Sequence, residues 1–346
     1  MTNTDSNAAP APVAVALARA TAVLAMPGNE ALAAVLAAAL AAEAAALAAG
    51  AAALAAEAAA LAAGPAAACV PVTVRRFPDG ESHVRVDAPI SGSDALIVCT
   101  LDRPDSKLVP LLLLACAARE AGAASVGLVA PYLAYMRQDR RFAPGETISA
   151  QHVAAWLSRH FDWLVTVDPH LHRIIHLSEV YTVPARVVHA AGSVADWVRA
   201  HVRQPLLIGP DQESAQWVSD VAARAGAPFV VLTKTRLGDR QVEVSVPEVA
   251  RWRSHTPVLI DDIVSTARTM IETAGHLRRA GLAAPVCVAV HAVFADGAYE
   301  ALRAAGVAAI VSCDTIAHAS NGITLAPAIA AAVRSVLADA RGDVMV

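Results

Sequence analysis

From Cys69 onward, short apolar runs alternate with stretches of helical spacing. The runs are ALIVCT (95–100), SVGLVAPY (125–132), WLVTVD (163–168), PLLIGPD (205–211), FVVLTK (229–234), PVLIDDI (257–263), VCVAVHAVF (286–294) and AIVSCDT (309–315). Between them, 107–121, 150–160, 215–225 and 269–280 carry helical patterns. Runs rich in β-branched residues, buried on both sides and separated by helices, predict parallel sheets of the doubly wound α/β kind. In such sheets ligands bind beyond the carboxyl ends of the strands, and many of these runs end in polar or acidic residues. An earlier apolar run, Val13 to Met26, stops at Pro27-Gly28-Asn29 and reads as a strand entering a helix start.

Residues 30–63 have a different texture. LAAEAAALAAG occupies 40–50 and recurs at 54–64, a spacing close to four helical turns. Alanine is the best helix former, so a helix is predicted, weakened at Gly50 and ended by Gly64-Pro65. Glu43 and Glu57 would fall inside any bilayer span, which is costly, so the segment is expected to be a soluble helix or a partly disordered expansion and not a membrane anchor.

Composition changes this picture little. Apolar residues make up 56% of the 346 positions but aromatics only 4%, so the core must be mostly aliphatic. A net charge of -4 without long blocks of one sign leaves no footprint for nucleic acid or an anionic membrane. The five cysteines form no CxxC pair and sit in or near apolar runs, which reads as small buried thiols in a reducing compartment. The N-terminus lacks the basic and apolar regions of a signal peptide, so a cytoplasmic protein is expected.

The strongest chemical signal is PVLIDDIVSTARTM (257–270): an apolar strand, paired carboxylates Asp261 and Asp262, a hydroxyl-rich turn, then a helix. A turn that opens a helix presents free N–H groups and the positive end of the helix dipole, which suits a phosphate. Carboxylates beside it suit ribose hydroxyls or hydrated Mg²⁺. This motif resembles the phosphoribosyl-binding loop of phosphoribosyltransferases and of ribose-phosphate diphosphokinases, with Ala267 where glycine is common. An added methyl there is harmless only if the position does not need a positive φ.

Other segments resemble the diphosphokinases in particular. RRFPDGESHVRV (75–86) is by itself a turn between strands, but it resembles the segment that reaches a neighbouring subunit's ATP site. APYLAYMRQDRRFAPGETISAQ (130–151) places arginine forks after a strand and before a flexible Pro-Gly stretch, and resembles the ATP-binding and flexible-loop region. WLVTVDPHLHRI (163–174) and LLIGPDQESAQWV (206–218) resemble the family's metal-linked strand ends, the second departing at Gln212-Glu213. LTKTRLGDRQVEV (232–244) puts Lys234 and Arg236 at i and i+2, on one face if the segment is extended. No GxxxxGK[ST] motif occurs, so the chain is not a P-loop kinase.

The resemblance implies two similar phosphoribosyltransferase-like α/β domains, each a mostly parallel sheet flanked by helices. They are expected at 13–190 and 191–346, after a disordered tail at 1–12. The Ala-rich stretch, 30–68, is expected as a helical insertion, and the last helix could pack on the first domain. The resemblance further implies transfer of the β,γ-diphosphate of ATP to the 1-hydroxyl of ribose 5-phosphate, with Mg²⁺ near His170 and Asp211. Phe77, Asp79, Gly80, Glu81, Arg137 and Gln138 would meet ATP. Asp261, Asp262, Ser265, Thr266, Ala267, Arg268, Thr269 and Arg236 would hold ribose 5-phosphate, and Lys234 and Arg236 would stabilise the transferring group. A homo-oligomer follows if 75–86 works across subunits. The rival readings are a phosphoribosyltransferase, which has no use for 75–86 or 130–151, and a non-catalytic regulatory relative.

Overall fold

The computed structural model describes residues 19–54, 67–171, 173–210, 214–236, 242–245 and 249–341. Of these, residues 43–54, 233–236, 242–245, 249–250 and 341 are described by their backbone alone.

The first half runs β1 (Thr21–Ala25), α1 (Glu30–Leu54), β2 (Ala68–Val70), β3 (Val72–Arg76), β4 (Ser82–Val86), β5 (Asp94–Val98), α2 (Asp105–Glu120), β6 (Ser125–Ala130), α3 (Ser149–His160), β7 (Trp163–Val167) and β8 (Ala185–Val188). The second continues α4 (Ala191–His201), β9 (Pro205–Gly209), α5 (Ala215–Ala225), β10 (Phe229–Val231), β11 (Thr233–Arg236), β12 (Val242–Ser245) and β13 (Thr256–Val264). It closes with α6 (Arg268–Arg279), β14 (Val286–Ala292), α7 (Ala298–Ala304), β15 (Ala309–Cys313), β16 (Asn321–Ile323) and α8 (Ala326–Arg341).

Two parallel six-stranded sheets result, in the orders β2-β1-β5-β6-β7-β8 and β10-β9-β13-β14-β15-β16. Adding eight to each strand number of the first order gives the second. Each half also carries one antiparallel ribbon at the same point in the order, β3–β4 and β11–β12. The architecture is thus one topology used twice, in agreement with the two similar α/β domains expected from the sequence. Strands such as β5 and β7 are buried along their whole length, which is why they read as unbroken apolar runs.

The halves are not independent bodies. Helix α8, at the end of the second half, packs on α1, β7 and β8 of the first. Helix α4, which follows β8, packs on α5 and β16. Each sheet is therefore covered partly by a helix that continues from the other, and one apolar cluster includes Leu36, Val165, Val194, Ile260 and Val333.

The Ala-rich stretch, expected as a helical insertion, is helical over Glu30–Leu54. Its first part is the crossover between the adjacent parallel strands β1 and β2, a connection such a pair requires. Ala33, Leu36, Ala37 and Leu40 follow an i, i+3, i+4, i+7 stripe and are buried. The second repeat, with Gly64-Pro65, lies outside the described residues, as does the tail at 1–12. Two cysteines depart from expectation: Cys69 is exposed and Cys116 half-buried, while Cys99, Cys287 and Cys313 are buried. Burial pushes the Cys99 and Cys287 thiols up to about 12, so they stay protonated and inert. Among the described residues, no helix is long and apolar enough to cross a membrane.

Candidate active site

β13 is longer than its neighbour on one side, and this exposes its acids. Pairing with β9 stops at Leu259↔Ile208, while pairing with β14 continues to Val264↔Ala292. Asp261 and Asp262 lie beyond the last β9 pair, in the opening left by the shorter strand. The strand does not end at them, as the sequence had implied, but runs on to Val264.

Gly209 closes β9 without a side chain for a steric reason. A Cβ there would stand 2.7 Å from the Ser214 hydroxyl and 2.9 Å from Val218, both too close. Asp211, expected as a metal-linked acid, lies outside the described residues, as does His172.

After Val264 the chain turns through Ser265 and Thr266 and enters α6. The turn is pinned from the next connection, where the N–H groups of Phe294 and Ala295 donate to the Val264 and Ser265 carbonyls (both 2.9 Å). Ser265 and Thr269 are half-buried, Thr266 and Arg268 exposed, and no side chain caps the helix. Its first N–H groups are thereby left for a ligand or water. Ala267 is the N-cap residue with φ +56° and ψ 4°, in the left-handed region. The position does require a positive φ, and the chain tolerates alanine there at a cost.

Asp262 joins the two halves. Its Oδ2 lies 2.6 Å from His170 Nδ1, and its Oδ1 accepts the Ile263 N–H at 2.8 Å. Burial works against its charge, but His170, His291 and the Ile263 N–H together hold the carboxyl below its ordinary value. Asp261 accepts the Asp262 N–H at 3.1 Å. The two acids therefore differ, with Asp262 committed to His170.

Asp168, at the end of β7, does not join this pair. Its carboxylate contacts His189 Nδ1 and accepts the Ala190 N–H, each at 2.9 Å, just before α4 begins. It fixes the chain turn instead of facing the opening.

Arg137 is exposed and Gln138 half-buried in the turn after β6. Gln138 Oε1 accepts from the Ser149 hydroxyl at 2.6 Å, which ties the turn to the start of α3. Burial raises the Tyr132 phenol above its ordinary value, with Arg137 acting against that rise and Asp262 and Asp102 adding to it. Asp139, assigned no role from the sequence, accepts from the Arg173 backbone N–H and guanidinium, both at 3.1 Å, so the Arg137 and His170 loops are tied together.

Family comparisons agree with this layout. Residues 22–160 match the model described as the N-terminal domain of ribose phosphate pyrophosphokinase, and residues 176–341 the phosphoribosyl transferase domain. The ribose-phosphate pyrophosphokinase of Methanopyrus kandleri is 35% identical over 271 residues, covering 78% of this chain and 92% of that one. That of Halobacterium salinarum is 36% identical over 264 residues, covering 76% and 91%. The chain belongs to the ribose-phosphate pyrophosphokinase family. A phosphoribosylpyrophosphate synthetase from Mycobacterium smegmatis shares the fold, with TM-score 0.75 at 22% identity over 93% of this chain and 100% of that one.

Two further groups of expected pyrophosphokinase residues lie on the antiparallel ribbons. Phe77, Asp79, Gly80 and Glu81 form the exposed tip of the β3–β4 ribbon. Gly80 takes φ +97° there, and the Glu81 N–H donates to Asp79 Oδ1 at 3.2 Å. The ribbon packs on α2, where Arg76 donates to the Ser106 carbonyl, and the contacts found at the tip are local. Lys234 and Arg236 pair by backbone with Val244 and Val242, two residues apart along β11. The ribbon starts from Leu232, whose N–H donates to the Gly209 carbonyl at 3.0 Å, so it leaves the sheet where β9 ends.

A residue the sequence reading passed over is His291, on β14. It is 1% exposed and touches both halves. Its only signal in the sequence is a histidine inside VCVAVHAVF, an apolar run with no other polar residue.

Proposed function

We propose that this chain transfers the β,γ-diphosphate of ATP to the 1-hydroxyl of ribose 5-phosphate, giving phosphoribosyl diphosphate and AMP. The observation that carries the reading is the juxtaposition, across the two halves, of His170 with a carboxylate of the phosphoribosyl-type loop. A phosphoribosyltransferase would need that loop but not the joined Arg137 and His170 loops beside it.

The 5-phosphate sits on the turn 265–269, held by the first N–H groups of α6 and the hydroxyls of Ser265, Thr266 and Thr269. Arg268 adds charge at the exposed side, and the ribose hydroxyls meet Asp261. Asp262 orients His170. ATP lies along Arg137 and Gln138, with Lys234 and Arg236 over the diphosphate as it moves. In-line attack of the 1-hydroxyl on the β-phosphorus then needs little covalent help from the protein, since positioning and charge neutralisation supply most of the catalysis.

Among the described residues no three histidine, cysteine, aspartate or glutamate side chains are grouped so as to hold a metal ion by themselves. The donors present nonetheless fit Mg²⁺, which takes one or two carboxylates and completes its shell with water and substrate phosphate oxygens. His170 and Asp211 would hold it. The Asp262 contact orients the His170 ring through its Nδ1. Bound Mg²⁺ would neutralise the phosphates and polarise the β-phosphorus.

The exposed ribbon tip supports assembly into a homo-oligomer in which Phe77, Asp79, Gly80 and Glu81 complete a neighbouring subunit's ATP site. Phe77 is 40% exposed, a large apolar ring at the end of a projecting ribbon.

The test is to mix the protein with MgATP and ribose 5-phosphate and follow both products, with Lys234→Ala in parallel. Matched formation of AMP and phosphoribosyl diphosphate, falling roughly a hundredfold in the variant, is expected for loss of a cationic donor. A folded protein that binds MgATP but releases no AMP would overturn the reading.

A further inference from the structure

His291 occupies the seam between the halves. Its Nδ1 lies 3.0 Å from the Thr315 hydroxyl, and its Nε2 3.3 Å from the Asp168 carbonyl. A carbonyl only accepts, so a neutral ring places its proton on Nε2 and uses Nδ1 as the acceptor for Thr315. The Thr315 hydroxyl donates to the Val290 carbonyl at 2.8 Å, so with Nε2 protonated its single proton is shared between that carbonyl and Nδ1 in a bifurcated bond. The Tyr132 ring meets the imidazole edge-on at 5.0 Å. A second buried thread runs beside the first: Thr100 Oγ1 donates to the Thr315 carbonyl at 2.6 Å, and the Thr100 N–H to Asn29 Oδ1 at 2.8 Å.

The group that His291 holds is unusual. Asp168 has φ +29°, a conformation that a non-glycine residue keeps only where its surroundings over-determine it. Its N–H donates to the Val188 carbonyl at 3.1 Å, and its carboxylate is held by His189 and the Ala190 N–H. Those contacts come from β8 and the segment after it. His291 supplies the hold from the other half, on the carbonyl.

Next in sequence is Pro169, with φ fixed near -65° by its ring, and then His170, paired with Asp262. The lever from the strained residue to the His170 imidazole is thus one rigid residue long. In the parallel register His291 stands opposite Ile263, the residue after Asp262. The same pair of strands therefore carries both the acid that meets His170 and the imidazole that holds the turn before it.

We infer that His291 is a positioning residue: by bonding the Asp168 carbonyl across the seam it sets where His170 stands relative to Asp262. The inference rests on the reading above and adds the part that aligns the two halves. His291 touches no substrate. Its effect should fall on turnover, through the geometry of the nucleotide phosphates, and leave the ribose 5-phosphate turn around α6 unaffected.

The test compares His291→Gln with His291→Asn. A glutamine amide reaches the place of Nε2 and can still donate to Asp168, whereas an asparagine amide reaches only the place of Nδ1. We expect kcat to fall about tenfold or more for the asparagine variant and by less than about threefold for the glutamine variant, since small misplacements in such sites are costly. KM for ribose 5-phosphate should stay near the wild-type value in both. In metal-free and nucleotide-free protein, the imidazole NMR signal of His170 should move in the asparagine variant and hold in the glutamine variant.

Equal kcat losses in the two variants, or an unmoved His170 signal in the asparagine variant, would overturn the inference. Should His291→Asn fail to fold, Thr315→Val removes the tether on Nδ1 while keeping the volume. A smaller shift of the same signal then supports the role, and none refutes it. Wild-type turnover in the same assay judges the reaction separately, because the NMR comparison needs no activity.

Discussion

Ala267 carries a methyl group where the backbone is left-handed, which costs an L-residue about 1–2 kcal/mol. Glycine would relieve that strain but lose about 0.5–1 kcal/mol through the greater freedom of the unfolded chain. Ala267→Gly should therefore stabilise the protein by roughly 0.5 kcal/mol, seen as a higher urea midpoint, with activity retained. Ala267→Val goes the other way, because a β-branched residue is poorly accommodated at positive φ and this position is buried. It should lower the midpoint and raise KM for ribose 5-phosphate; an unchanged KM would mean that the turn does not seat the phosphate.

His189 offers a pH prediction at the same scale. Its hydrogen bond with Asp168 raises its pKa above the ordinary histidine value, against a smaller opposing effect of burial. A base with a raised folded-state pKa adds stability that is complete below the unfolded value, near 6.5, and is lost as pH rises through the folded one. The urea midpoint of wild type minus that of His189→Gln should thus shrink from pH 6 to pH 8. The imidazole is mostly exposed, so the effect stays below about 1 kcal/mol. A difference that grows with pH would contradict the assignment.

At the scale of elements, α1 separates what the sequence could reveal from what it could not. Alanine dictates a helix almost everywhere from 30 to 54 but says little about which side faces the core, since its burial changes few atoms. The stripe is legible only through Leu36 and Leu40 and the small residues beside them. Truncating Leu36 should cost about 2–5 kcal/mol, whereas Val35→Ala, at a position 51% exposed, should change stability by less than about 0.5 kcal/mol. Similar small effects at both sites would mean that the stripe adds nothing to the core.

The strands were easier to read, because β5, β7 and β14 are buried on both faces and so contain long aliphatic runs. The acids at 261–262 and the turn after them were legible for a related reason, since charge beside such a run has no packing role. What could not be read were long-range pairings: His170 with Asp262 spans 92 residues, and His291 with Asp168 spans 123. Local periodicity carries no record of contacts that depend on how two sheets are set side by side. The φ of Ala267 was equally hidden, because sequence gave the departure from glycine but not the backbone angle that makes it matter.

At the scale of the whole molecule, the exchanged helices α4 and α8 hold the two halves as one unit, while the β3–β4 tip is exposed at the end of a ribbon packed on α2. A tip that serves its own chain and a tip that serves a neighbour predict different results when two inactive proteins are mixed. Phe77→Ala combined with Asp79→Ala damages the tip and leaves the centre whole; Lys234→Ala does the reverse. If the tip acts across subunits, a mixed assembly contains sites built from an intact tip of one chain and an intact centre of the other. Random pairing in a two-fold arrangement makes half of the assemblies mixed, each with one intact site of two, so about a quarter of wild-type activity should return after the two are dissociated together and reassembled. If the tip acts within its own chain, every site keeps one defect and no activity returns. Mixing without dissociation should also give none, which separates exchange of subunits from contamination by active protein.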